Sequence, residues 1–556
     1  MNNTISIGID LGTSGSAISY FDGNVPKIIP NSFGEAIMPS KVILLQDGRY
    51  CIGRDAANHV ERFESYNFTL GSAKRLMHEC QGFVLNKRRF YPQVISAMIL
   101  SKLKRQAEEF LKTKIDEAVI CIPCNFGAIQ RHATIEAAEM AGFRVLLMAN
   151  EATAAAVAFN FLSHGGYEEK ELIFDLGAGT LDLSIIEYAQ GVIEVKAIEG
   201  IEFLGGDDFD NRIIKYIVDE TKKTQGFDPI EDQHWEWHHI AKLRLREAAE
   251  KAKIELSSQR LTRIYVPYIR NILGNAQHVD IELTGEVFEA ICGDLIDGIL
   301  EQTDKVCKSG KFNFNKFVFT GGGSKITCIR DKICSRYRGL RFINREKDLV
   351  ALGASIWAAI KKGTIKDQLI LDCTGKSIGI GLKDDKYQII IPKNSTIPLS
   401  KKDTFTTTQD NQKFINLSVY EGENEKAITN RKIVDLELGP LDNERAGVPK
   451  IEVVFDIDAN NVLNISASQL EGEAEIEEEV NKIVPADQPL REKLKFWKEA
   501  PTKTVKVKEK VKHKVPGRGL HKISLASPYI NLDTKIKTMI KELLNPEFKE
   551  SQSKNN

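Results

Sequence analysis

The segment that decides the fold is Leu172–Ile186, LIFDLGAGTLDLSII. Apolar residues run into Asp175-Leu176-Gly177, small residues follow, and Leu181-Asp182-Leu183-Ser184-Ile185 alternates as a returning strand. The pattern is a β-hairpin with a carboxylate where its first strand ends. Gly177, Ala178 and Gly179 carry almost no side chain, so their backbone N–H groups can close round an anion, and Thr180 adds a hydroxyl. A second copy opens the chain: Ile5–Ile18, ISIGIDLGTSGSAI, sets Asp10-Leu11-Gly12 where the later copy has Asp175-Leu176-Gly177, with Thr13 and Ser14 at its tip. One copy alone would be an Asp-Gly turn closing an ordinary hairpin. Two copies in register imply two similar lobes, each offering a phosphate-clasping hairpin to one ligand, and so a nucleotide cleft. Asp10 and Asp175 would neutralise the phosphates through a hydrated Mg²⁺, an ion that takes few protein ligands directly.

At 556 residues the chain exceeds one core, and a prior of about 150 residues per domain suggests three to four units. Charged residues make up 28% and the formal net charge is -1, so no global field calls for nucleic acid. MNNTISIGID has no basic region leading a long apolar core, and no run is long enough to span a bilayer. A cytoplasmic location without a membrane partner is the expectation. The nine cysteines have no repeating metal spacing. Cys121-Ile122-Pro123-Cys124 matches a redox pattern, but it ends an apolar strand rather than opening a helix, so a structural role is expected, with redox sensitivity the lesser alternative.

In chain order, Phe33–Ser40 reads as a loop into a strand at 42–45, and Gly71-Ser72-Ala73-Lys74-Arg75-Leu76 could bring a lysine beside bound phosphate. Pro92–Leu111 has helical spacing, strand Ala118–Ile122 follows, and a helix over Gln130–Met140 should end at Gly142. Asn150-Glu151 leads an alanine-rich helix, Ala154–Phe161; Glu151 there is either a helix-dipole partner or a carboxylate at the cleft floor. Leu204-Gly205-Gly206 precedes a helix whose N-terminus could add a phosphate contact. On a helix over Ile240–Leu256, Glu250, Lys253 and Ser257 share one polar stripe, suited to a ribose and base or to a solvated ion pair. Phe317–Thr320 is an apolar strand breaking into Gly321, Gly322 and Gly323, followed by Ser324 and Lys325, a place where only backbone can approach. From Asp367 the texture changes. Asp367-Gln368-Leu369-Ile370-Leu371-Asp372 is a linker with three large aliphatics that could add as an edge strand to either neighbour, and Cys373–Glu479 alternates as an all-β domain. A basic, valine-interleaved tail and a short amphipathic helix, Leu532–Leu544, close the chain.

In this order the two Asp-Leu-Gly hairpins, Ala73-Lys74-Arg75-Leu76, Asn150-Glu151, Leu204-Gly205-Gly206, Glu250–Ser257, the triple glycine, the acidic aliphatic linker and Asp456–Asn460 resemble the seventy-kilodalton heat-shock chaperones, DnaK-like, from residue 4 to about 480. The resemblance implies a multidomain α/β plus all-β chain. An actin-like (ribonuclease H-like) two-lobed ATPase domain would occupy residues 1–366, the linker 367–372, a β-sandwich peptide-binding domain 373–480 and a partly helical tail 481–556. It implies ATP or ADP with Mg²⁺, extended or unfolded polypeptide clients, and a J-domain co-chaperone and nucleotide-exchange factor. Carried over residue by residue, Gly12, Thr13, Ser14, Gly177, Ala178, Gly179 and Thr180 would cradle phosphates, and Asp10 and Asp175 would hold the hydrated metal. Gly205, Gly206, Glu250, Lys253, Ser257, Gly321, Gly322, Gly323 and Lys325 would complete the nucleotide site. Lys74 would orient the attacking water, with Glu151, Asp182 and Thr180 in the catalytic network. Pro123 and Arg131 match the pair relaying nucleotide state to the linker.

The departures are specific. The chain is short between Lys74 and Pro92, Ala152, Ala178 and Leu181 replace a proline, a glycine and a phenylalanine, and Lys347 stands where an acid is expected near the base. Leu147 replaces an arginine that meets the J-domain. Lys383 and Thr408 replace the methionine and alanine that arch over a bound peptide, while Ile415 keeps the central aliphatic. The tail is too short for the usual helical lid, so peptide exchange should be fast and weak. Two other classes stay open: an ATP-dependent regulatory protein whose β domain holds one dedicated partner, and an actin-fold small-molecule kinase.

Overall fold

A computed structural model describes residues 5–470 of the chain, except 6, 45–49, 62–67, 71–72, 79–81, 86–87, 164–168, 190, 232–234, 273–274, 310–313, 345–347, 442 and 460–461. The tail from 471, with the expected helix at Leu532–Leu544, and Lys347 lie outside the described residues, as does the side chain of Lys383.

The internal repeat becomes two sheets of matching topology. In one, Ile7–Asp10 pairs antiparallel with Gly15–Phe21, which pairs with Pro26–Ile28; on its other edge it runs parallel to Glu117–Ile122, and that strand to Arg144–Asn150. In the other, Glu169–Leu176, Leu181–Ala189 and Val192–Ile201 repeat the antiparallel set, and Lys316–Thr320 and Arg341–Asn344 the parallel one. The central strands are apolar on both faces because helices cover both. Between the sheets lie the helices Glu151–Leu162 and Leu349–Lys361, whose small residues let backbones meet. A Cβ on Gly353 would overlap the Ala154 carbonyl, and one on Gly8 would overlap the backbone at Ser355.

The expected helix over 92–111 forms with Pro92 at its first turn, where its missing N–H costs nothing. The helix expected over Gln130–Met140 begins earlier, at Ala128, and Gly142 follows its end in the left-handed conformation. Asn150 precedes the helix Glu151–Leu162, and the helix expected from Ile240 already starts at Trp235.

Beyond the linker, two antiparallel sheets, one of four strands and one of three, enclose a single apolar cluster. Ile380, Val419, Ile451, Val453 and Phe455 are fully buried in it. Ile415 is buried there too, whereas Thr408 sits exposed in a turn capped by the Gln412 side chain. Among the described residues no helix is long and apolar enough to cross a membrane.

Candidate functional site

The two hairpin tips meet. A Cβ on Gly179 would overlap Thr13 Oγ1, so the second tip is glycine because the first tip lies against it. Around this junction a cleft of about 170 Å³ is lined by Asp10, Gly12, Thr13, Ser14, Lys74, Glu151, Asp175, Gly177, Ala178, Gly179, Thr180, Gly206, Glu250, Lys253, Gly321, Gly322 and Gly323. Residues separated by more than three hundred positions thus share one wall. Gly205, Asp182, Ser257 and Lys325 do not line it.

The cleft wall carries Asp10, Glu151, Asp175 and Glu250 together with Lys74 and Lys253. Lys74, only 6% exposed, donates to Glu151 Oε1. Burial pushes the Asp10 carboxyl up to about 6 against the pull of Lys74. Burial, reinforced by Asp182 and Asp10, pushes Asp175 up to about 8. Burial likewise raises Glu151 well above the usual carboxylate range and raises Asp182. Burial alone would lower the Lys74 ammonium, but Glu151, Asp10 and Asp182 outweigh it and hold it charged. Four acids facing the Lys74 ammonium lack positive charge, and a divalent cation would supply it. Among the described residues no cluster of three or more His, Cys, Asp or Glu side chains is arranged to hold a metal. An ion between Asp10 and Asp175 would therefore complete its shell with water and phosphate oxygens, which suits Mg²⁺.

Several of the residues singled out in the sequence have partners at long range. The N-terminal N–H groups of the helix Gly206–Gln225 were expected to reach phosphate; instead Gly206 N–H donates to the Gly177 carbonyl at 3.0 Å and Asp207 N–H to Ala178 at 2.8 Å. They brace the hairpin tip. Glu250 and Lys253 both line the cleft wall, and Lys253 also donates to the Gly206 carbonyl at 2.9 Å and pairs with Asp210 on the neighbouring helix at 2.7 Å. Ser257 lies past the helix end, and its hydroxyl donates back to the Lys253 carbonyl. Lys325 is exposed. Asp182 is fully buried beneath the cleft, accepting from Cys124 N–H at 2.7 Å. Of the triple glycine, Gly321 and Gly323 are required by packing: a Cβ would overlap Asp175 in the first case and stand 2.6 Å from Leu176 Cγ in the second. Cys121 and Cys124 are both core residues, and burial pushes their thiols well above the ordinary value, which leaves them as packing groups.

The linker completes the second sheet. Leu369–Leu371 runs parallel to Val192–Glu194, and Leu371 packs on Ala189 and Val192. Just beyond, Asp372 is buried and accepts two bonds from Asn150 Nδ2, each 2.9 Å, and one from Cys373 N–H at 2.9 Å. Arg131 donates to Asn150 Oδ1 at 3.3 Å and to the Phe126 carbonyl at 3.0 Å. Sequence reading missed this Asn150–Asp372 clasp; the acid that ends the aliphatic run was its one visible sign. The β domain is seated on the same surface: Ala128 N–H donates to Glu421, Arg431 to Gln130, and Lys393 and Lys376 pair with Glu199 at 2.9 Å and Glu202 at 3.1 Å. Leu147, in the strand next to this seam, is buried.

Compared with known families, a family model described as Hsp70 protein matches residues 6–81 and 80–515 of the chain.

Proposed function

The chain belongs to the Hsp70 family, and we propose that it hydrolyses ATP in the cleft between the two hairpins and uses that reaction to control how its β domain holds extended polypeptide. Members of this family are ATPases that bind unfolded clients and work with co-chaperones. The observation that carries the reading is the connection between site and linker. The sheet that supplies Asp175 and the second hairpin also takes Leu369–Leu371 as its edge strand, so a change at the hairpin tip reaches the β domain through one sheet. The proposed division is ATPase domain to residue 366, linker 367–372 and β domain from 373.

In that reading the backbone of Gly12–Ser14 and Gly177–Thr180 holds phosphate, and Glu250 and Gly322 flank the nucleoside. Mg²⁺ held by Asp10 and Asp175 would neutralise phosphate charge. Lys74, kept charged by Glu151, orients the attacking water and stabilises negative charge on the transferred group, while Asp182 and Thr180 support the network from below.

The test is a titration of a fluorescent mixed-sequence peptide library in saturating ADP and then in saturating ATP. Tighter binding in ADP, matched by an equal peptide effect on nucleotide affinity, supports coupling. Absence of peptide binding in both states, with ATP still bound, favours a second reading, an ATP-dependent protein whose β domain holds one dedicated partner. That reading draws on Lys383 at a position where the family resemblance expects an apolar arch, and on Thr408 turned into its own loop.

A further inference from the structure

Next to Lys74 on the same short turn, Ala73–Leu76, Arg75 reaches from the first lobe to the second. Its Nε and Nη2 donate to the Gly179 carbonyl at 3.1 and 2.8 Å, and its Nη1 and Nη2 meet both carboxylate oxygens of Asp208. This is a forked, charge-assisted grip that only a guanidinium can make. Both partners are largely sheltered, with side chains 14% and 19% exposed. Asp208 is itself fixed, because its Oδ2 accepts the Gly205 N–H at 2.8 Å and so ties the turn before the helix Gly206–Gln225. Phe203 covers the outer face of the guanidinium at 5.9 Å, held there by a left-handed backbone that a phenylalanine seldom adopts.

We propose that Arg75 is an interlobe latch and positioning residue: it holds the second hairpin tip and the Gly205–Gly206 turn against the first lobe, and so sets both the rate of nucleotide escape and the aim of the Thr180 N–H. The second role follows from peptide geometry. In a planar trans peptide the carbonyl of one residue and the N–H of the next point in opposite directions. Fixing the Gly179 carbonyl toward Arg75 therefore fixes the Thr180 N–H away from it, at the tip that shares the cleft with Thr13. The first role follows from the path: the latch joins a turn of the first lobe to two elements of the second, and opening the cleft must break it. The inference rests on the reading of the cleft as a nucleotide site.

The experiment uses the full-length chain and a fluorescent ADP derivative, with release followed by chase and association by stopped flow. Loss of a charge-assisted grip of this kind should speed release by roughly ten- to a hundredfold in Arg75→Ala, while association changes by no more than about threefold. Arg75→Lys, which keeps the charge but offers one prong, should fall between, and single-turnover ATP hydrolysis should decline in the same order. Combining Arg75→Ala with Asp208→Asn, whose amide oxygen can still accept the Gly205 N–H, should release ADP no faster than Arg75→Ala alone, because both changes then break one contact. ADP binding with a release rate unchanged in Arg75→Ala overturns the latch. Failure of the unaltered chain to bind ADP overturns the nucleotide reading and the latch with it.

Discussion

Replacing Lys74 by methionine roughly keeps the length of the side chain and removes an ammonium buried among the acids of the cleft. Lys74 lies among Asp10, Glu151, Asp175 and Asp182, lowers the carboxyl pKa of each, and donates to Glu151. Breaking a buried pair costs about 3–5 kcal/mol when the surviving charge must stay ionised. Here the acids can take protons instead, since burial already holds Asp10 at about 6 and Asp175 at about 8, so the folding penalty of Lys74→Met should be smaller, on the order of 1–2 kcal/mol. The catalytic penalty should be larger. A preorganised group aimed at developing charge is worth about 2.7–4 kcal/mol, or roughly 10²–10³ in rate. ATP affinity should change by less than about tenfold, because the hairpin backbones that would hold the phosphates are untouched. Single-turnover hydrolysis of labelled ATP, alongside equilibrium binding of a fluorescent ATP derivative, separates the two effects. Turnover within about threefold of the unaltered chain would refute the role of Lys74, and an equal loss of affinity and turnover would reduce it to ground-state binding.

Leu371→Asp places a charge where Leu371 packs on Ala189 and Val192, which should detach the linker strand and speed proteolytic cleavage near residues 366–372 by roughly tenfold or more; an unchanged cleavage pattern would show that the strand is not held there. Burial raises Glu171 to about 7 even with Lys316 3.2 Å away. The folded chain thus binds this proton more tightly than the unfolded one, so the contribution to stability is fullest below about pH 4.5 and is lost as pH rises through about 7. Glu171→Gln should remove on the order of 2 kcal/mol of that decline between about pH 5 and 8 in urea denaturation, and parallel pH profiles would contradict the assignment. Gly353→Ala drives a methyl into the Ala154 carbonyl and should destabilise the chain by about 1–3 kcal/mol, read as a lower urea midpoint; an unmoved midpoint would mean the two central helices are not in backbone contact.

The local devices could be read from the residues alone. The hairpins at Asp10 and Asp175 were legible because a run of apolar residues, a turn of small ones and a period-two return are decided within fifteen residues or so. Their repetition announced two matching sheets, and the aliphatic linker announced an edge strand. Tertiary structure decided which partner each device would meet. The same N–H groups before Asp208 look ready for phosphate in sequence, yet they brace Gly177 and Ala178. Lys253 reads as a polar-stripe residue, and folding adds Asp210 on the neighbouring helix as its partner. Asn150 reads as the start of a helix, and its side chain is given to Asp372, more than two hundred residues away. Arg75, adjacent to the lysine that sequence reading singled out, bridges the lobes only because folding brings Gly179 and Asp208 within its reach. Periodicity records which face of a segment is buried and what its backbone can do. It does not record what lies against that face, because polar side chains are satisfied by whichever donors and acceptors the packed lobes happen to present.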